Sequence, residues 1–165
     1  MSVLLVTPPE HLGGPIIERL IAQGDEVRVV VASADAADWR RLGAHVAVGD
    51  PDGDLLERAG QSSRTIALFD PAEELAQDAI SAAKAARIDR VVAVLSRPSV
   101  ALSALLAGSE LTYVVLVAAR RGLKRAPGVA EIAEAVDAAD DLAGEVRLEL
   151  DLAEPGAWDA LGIER

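Results

Sequence analysis

The chain has 165 residues and carries 16 basic against 27 acidic side chains, a formal charge of −11, with no cysteine. That balance argues against nucleic acid as a partner, because phosphate neutralisation needs a basic face, and against docking on anionic membrane surfaces. The missing thiols exclude disulfide scaffolds, cysteine-ligated metals and thiol catalysis. One domain over residues 1–165 is expected, long enough to bury roughly 70% of the surface its unfolded chain exposes. Apolar residues make up 51% and aromatics only 2%, so the core must be built from Ala, Val, Leu and Ile.

In chain order, short apolar runs alternate with longer amphipathic ones. Val3–Val6 reads as a strand buried on both faces. Gly13-Gly14-Pro15 is expected to open a helix, with Pro15 in its first turn and Gly24 ending it. Val27–Ala32 is a second strand, Asp35–Leu42 a short helix closed by Gly43, and His45–Val48 a third strand. Asp54–Ala59 is a short helical stretch and Thr65–Phe69 a fourth strand. A helix from about Ala72 to Arg87 shows its inner face at Leu75, Ala79, Ile80 and Ala83. Arg90–Leu95 is a fifth strand, and Ser99–Ala107 a helix with Ser99 as its cap. Leu111–Val117 is a sixth strand, with Tyr113 expected in the core; a loop over Gly122–Gly128 leads to a helix over Val129–Leu142. The seventh strand, Val146–Leu152, alternates apolar and charged residues as an edge strand does. Strands separated by helices make a βαβ series, so the expected fold is α/β: a doubly wound, Rossmann-like, mostly parallel seven-stranded sheet with helices on both faces.

The acidity is concentrated at one end. Residues 129–165 hold eleven acids and two bases, −9 of the total −11, while residues 1–128 are nearly neutral. The expected picture is a solvated outer helix face and a charge-protected edge strand. No signal-like segment opens the chain, and the longest apolar run, Tyr113–Ala119, is far below the ~18 residues of a membrane span. A soluble cytoplasmic protein without membrane contact is therefore expected.

In a doubly wound sheet the ligand lies beyond the carboxyl ends of the strands at the switch point, which points to the first strand–helix loop, Thr7-Pro8-Pro9-Glu10-His11-Leu12-Gly13-Gly14. Here the chain resembles the atypical short-chain dehydrogenases/reductases of the NAD(P)H-binding, NmrA-like kind. Val3–Thr7 followed by Glu18–Val27 matches that family's opening strand, helix and second strand. Gly49-Asp50 matches its Gly-Asp pair near the adenine, and Ala82–Ala86 with Arg90–Val92 its fourth helix and fifth strand. Ser96 falls at the family's strand-end serine, and Leu111–Leu116 matches its sixth strand. The resemblance covers nearly the whole chain. It implies NAD or NADP as cofactor, contacted by Thr7, Leu12, Gly13, Ser33, Asp50 and Ser96.

The departures bear on function. Against the family's T-G-x-x-G-x-x-G the loop is one residue shorter: Pro8 takes the first glycine position, Glu10 falls near the second, and Gly13 fits the last. Pro8 and Pro9 offer no N–H, and Glu10 sets a carboxylate where phosphates would sit. What remains for an anion is a helix N-terminus, expected at the amides of Ile16 and Ile17. Ala32-Ser33 lacks the arginine that reads a 2′-phosphate; the catalytic Tyr-x-x-x-Lys is absent, Val117 standing four residues after Tyr113; and Val117-Ala118-Ala119 replaces an Arg-Pro-Gly. Little sequence follows the seventh strand, so a minimal substrate lobe is expected.

Ser96 as a donor to a substrate carbonyl and His11 as a base are the catalytic candidates; the alternatives are a strand-end hydroxyl and a solvated loop imidazole. Asp50 either bonds an adenine amine or belongs to the Asp50-Pro51-Asp52-Gly53 turn. His45 has no partner at metal spacing, and no metal site is expected. A phospho-accepting receiver is rejected, because Thr7-Pro8 stands where its acidic pair would be. Three readings follow: a non-catalytic binding or regulatory protein for a nucleotide or small molecule, with weakened or lost dinucleotide binding; an active NAD(P)H-dependent reductase or isomerase; and a structural subunit docking through its acidic end. A homo-oligomer is compatible with the sequence but not derivable from it.

Overall fold

The computed structural model describes residues 1–33, 38–119 and 126–165. The seven apolar runs form seven strands within a residue or two of expectation: β1 (Ser2–Val6), β2 (Glu26–Val31), β3 (His45–Val48), β4 (Thr65–Phe69), β5 (Arg90–Leu95), β6 (Thr112–Val117) and β7 (Arg147–Asp151). They make one sheet in the order β3-β2-β1-β4-β5-β6-β7. Every pairing is parallel, so β7 joins β6 in the same sense as the rest. β1 is an interior strand, with Leu5 opposite Val29 on one side and Ala67 on the other.

Alternation along each strand divides the core in two. Val3 and Leu5 of β1 face α1 (Glu10–Ala22), α5 (Val129–Asp141) and α6 (Pro155–Ala160). Leu4 and Val6 face α2 (Gly53–Ala59), α3 (Glu73–Ala85) and α4 (Val100–Ala107). All four side chains are wholly buried, each worth about 1.5–3 kcal/mol against exposure. Aliphatic residues dominate both layers, and Trp39, Phe69 and Trp158 are buried aromatic exceptions in the α1–α5 layer. Tyr113 is only half-buried, packed at the margin of the other layer, because it lies near the start of β6 where cover is thinner.

Three elements differ from expectation. α1 begins at Glu10, behind Pro9, so Gly13, Gly14 and Pro15 lie inside it. Pro15 fits because only the bond to the carbonyl of His11, one turn from the exposed helix start, is forfeited. Gly24 does end this helix, at φ +92°, where a left-handed residue is needed. Of the expected helix over Asp35–Leu42, the described part is a 3-10 turn, Trp39–Leu42, closed by Gly43 at φ +100°; its start lies outside the described residues, as do residues 122–125 of the expected loop. The third difference is α6, a short helix that periodicity did not predict, with Pro155 at its start and the indole N–H of Trp158 donating to the Leu152 carbonyl at 3.1 Å. Among the described residues no helix is long and apolar enough to cross a membrane.

The acidic end is not simply a solvated face. Asp137 and Asp140 of α5 are buried, 6% and 3% exposed. Arg19 of α1 donates to Asp137 at 2.8 Å. Arg64 forks onto Asp140 through Nε and Nη2, Thr65 donates to the same carboxylate at 2.5 Å, and Arg64 also reaches Asp141. Buried Arg90 at the start of β5 donates to the carbonyls of Ala139, Asp140, Leu142 and Gly144, closing the end of α5 where no side-chain cap exists. Arg165 pairs with Glu134 at 2.6 Å and lies 3.7 Å over the Trp158 ring. These partners cancel charge that a local sequence count leaves standing.

Burial pushes the Asp137 carboxyl above the ordinary aspartate range despite Arg19, and burial, with the nearby charge of Asp140, pushes Asp25 the same way. A carboxyl raised on folding binds its proton more readily in the folded state. Its contribution is therefore full below the unfolded value and is lost as pH rises through the folded one. The expected outcome is that the melting temperature of the native protein, relative to Asp137→Asn, rises as the pH falls from 7 toward the carboxylate range. A constant or shrinking difference across that series contradicts the assignment.

Candidate functional site

The strand order reverses beside β1: the chain runs outward through β2 and β3, then returns to place β4 on the other flank. The crevice between the carboxyl ends of β1 and β4 is therefore the switch point of the fold. Thr7 follows β1 and Asp70 follows β4; both still donate to the neighbouring strand, to Val30 and Val94 at 2.8 and 2.9 Å. Both have positive φ, +44° and +41°. For a β-branched threonine that is a sparsely populated conformation, and the two strained residues stand on either side of the crevice.

Beyond them lies a cavity of about 160 Å³. Its apolar lining is Pro9 and Leu12 from the start of α1, Phe69 of β4, Val94 and Leu95 of β5, Ala118 after β6, and Ile132 of α5. Its polar lining is His11, Asp70 and Ser96, so the two catalytic candidates of the sequence come together here with an acid that sequence reasoning missed. Asp70 Oδ1 accepts the Ser96 backbone N–H at 2.8 Å and the Ser96 hydroxyl at 3.2 Å. Ser96, expected as a donor to a substrate carbonyl, directs its hydroxyl at Asp70 in this structure. A wider cleft of about 520 Å³ shares Asp70, Leu95 and Ser96 and runs past Arg97 to Ser99, whose hydroxyl caps α4 through the Leu102 amide. Arg97 is exposed and has no ion-pair partner among the described residues.

The other expected contacts fall as follows. Leu12 is buried against the core and lines the cavity. Gly13 faces the Trp39 indole so closely that a Cβ there would lie 2.2 Å from Cζ2; its lack of a side chain serves helix–indole packing. Ser33 is exposed just beyond β2. Asp50 is exposed after β3, and the cap of α2 is Asp52, which accepts from the Leu55 amide at 2.8 Å. The free amides at the start of α1 belong to Glu10 and His11, because Leu12 and Gly13 both donate to the Pro9 carbonyl; Ile16 and Ile17 lie deep in the helix ladder. Tyr113 and His45 sit at the opposite, amino ends of their strands, away from the crevice. Among the described residues no group of three or more His, Asp or Glu side chains is placed to hold a metal ion.

These residues are a poor fit for a pyrophosphate. Only two amides point out of the helix start, and the first belongs to Glu10, whose carboxylate supplies the negative charge that favours that end of a helix. A second cleft of about 490 Å³, at the amino ends of the strands, is lined by Arg64, Arg90, Asp140 and Asp141. Apart from the buried Arg90 Nε, which has no partner among the described residues, the arginine donors here are engaged in the α5 network, away from this site.

No family model matches the chain, and no curated protein matches it by sequence. Solved structures match by shape. The Citrobacter sp. triphenylmethane reductase complexed with NADP(H) superposes with a TM-score of 0.73 at 14% identity, over 92% of this chain and 70% of that one. The UDP-N-acetylglucosamine 4-epimerase of Bacillus cereus gives 0.72 at 13% identity, over 92% and 77%. The chuY protein of E. coli strain CFT073 gives 0.72 at 16% identity, over 94% of this chain and 98% of its own. Likeness at this level of identity carries the fold, and the chain shares with an NADP(H)-bound reductase and a nucleotide-sugar epimerase one doubly wound, Rossmann-like α/β architecture.

Proposed function

We propose that the protein is a non-catalytic ligand-binding or regulatory domain of this fold, spanning residues 1–165, in which dinucleotide binding is weakened or lost. The observation that carries the reading is Glu10 at the first position of α1, directly behind Pro8 and Pro9. Two residues without amide donors and one carboxylate occupy the turn that must wrap a dianion. The absence of a Tyr-x-x-x-Lys pair points the same way.

One observation favours an active reductase or isomerase instead: His11, Asp70 and Ser96 share a single cavity. Titration with NADH and NADPH separates the two. A ligand at 100 times its dissociation constant adds about 2.7 kcal/mol of stability, and Trp39, packed on Gly13 of α1, is a built-in fluorescent reporter. The native protein is expected to show little shift in melting temperature at millimolar cofactor, and the Pro8→Gly/Glu10→Gly double variant a larger one. A strong shift in the native protein overturns the weakening of dinucleotide binding, and turnover of the bound cofactor would then decide for the enzyme.

A further inference from the structure

The chemistry of the small cavity is set by what Asp70 and Ser96 leave unused. Ser96 has one hydroxyl proton and gives it to Asp70 Oδ1, which also takes the Ser96 amide. The lone pairs of Ser96 Oγ remain, with the whole of Asp70 Oδ2, which has no hydrogen-bond partner among the described residues. Both are acceptors. At the Asp70–Ser96 edge a ligand carboxylate meets acceptor against acceptor and an N–H-bearing cation meets two partners, while the donors of the cavity, the His11 ring and the amides of Glu10 and His11, belong to α1. Beneath this edge lie Leu12, Phe69 and Val94. The cavity measures about 160 Å³, and one of about 150 Å³ with apolar walls holds benzene.

We propose that this cavity binds a planar ring carrying a cationic hydrogen-bond donor, such as an amidinium or a protonated amine. The ring lies on the apolar floor and the head group bridges Asp70 Oδ2 and Ser96 Oγ. The inference rests on the reading that a dinucleotide is not the occupant.

Benzamidine, benzamide and benzoate test this, since they share a ring and differ in head-group charge. Their binding to the full chain is measured by calorimetry and by thermal shift, beside an NADH titration. Benzamidine is expected to bind tightest, by about tenfold or more over benzoate, as a charge-assisted hydrogen bond provides. Asp70→Asn is expected to abolish that preference. Ser96→Ala, which keeps the carboxylate, is expected to weaken benzamidine severalfold while preserving the order, and it serves where Asp70→Asn does not fold. Equal or tighter binding of benzamide or benzoate, no binding of any probe at millimolar concentration, or an unchanged benzamidine affinity in Asp70→Asn overturns the proposal. A strong NADH shift sinks the reading above and this inference with it; a wrong probe order without an NADH shift sinks this inference alone.

Discussion

Replacing Asp140 with alanine is expected to cost about 3–5 kcal/mol, the range for removing one partner of a buried ion pair. The side chain is 3% exposed and receives the Arg64 fork and the Thr65 hydroxyl. Its loss leaves the buried Thr65 hydroxyl without its acceptor and the half-buried Arg64 guanidinium with Asp141 alone. Asp141, on the same helix and touching the same Arg64, is the internal control. It is exposed, so Asp141→Ala is expected to cost less than about 1 kcal/mol. Denaturant midpoints of the two variants decide the matter: similar losses would falsify the assignment of the energy to burial rather than to charge.

The second large effect is expected at Gly13. An added methyl meets Trp39 Cζ2 at 2.2 Å, Cε2 at 2.7 Å and Cη2 at 2.8 Å. A buried indole is rigid, so α1 or the 3-10 turn must move, at about 1–3 kcal/mol for overpacking. Because the strain resides in one contact, Gly13→Ala and Trp39→Leu should be coupled: the double variant is expected to lose less than the sum of the single ones. Simple additivity would mean that the glycine matters for another reason.

What could be read in the sequence was whatever is local. β3, β4 and β5 have the bounds that composition assigns, because continuous apolar runs have few alternatives in a sheet covered on both sides. The switch-point rule pointed to the carboxyl ends of the strands, and there His11 and Ser96 line one cavity. The start of α1 misled because Gly-Gly-Pro is a strong breaker signal, while Pro8-Pro9 just before it is an equally good helix opening and the one the fold uses. Asp70 was legible in retrospect as an acid directly following a strand beside the switch point. The buried acids were not legible: Asp137 and Asp140 look like any charges on an amphipathic helix until the fold brings Arg19 from 118 residues away and Arg64 from 76.

Those separations have a consequence for synthesis. Chains emerge from the ribosome amino end first, and domains fold as units. α1 emerges early, but α5, which covers its apolar face and pairs with Arg19, emerges only after residue 128. Arg90 likewise waits for the four carbonyls at the end of α5. A nascent chain halted before α5 therefore holds most of the sheet with α1 as the only long helix on one side, and with Arg19 and Arg64 lacking their buried acid partners. The acidic segment from residue 129 onward is thus what completes the fold.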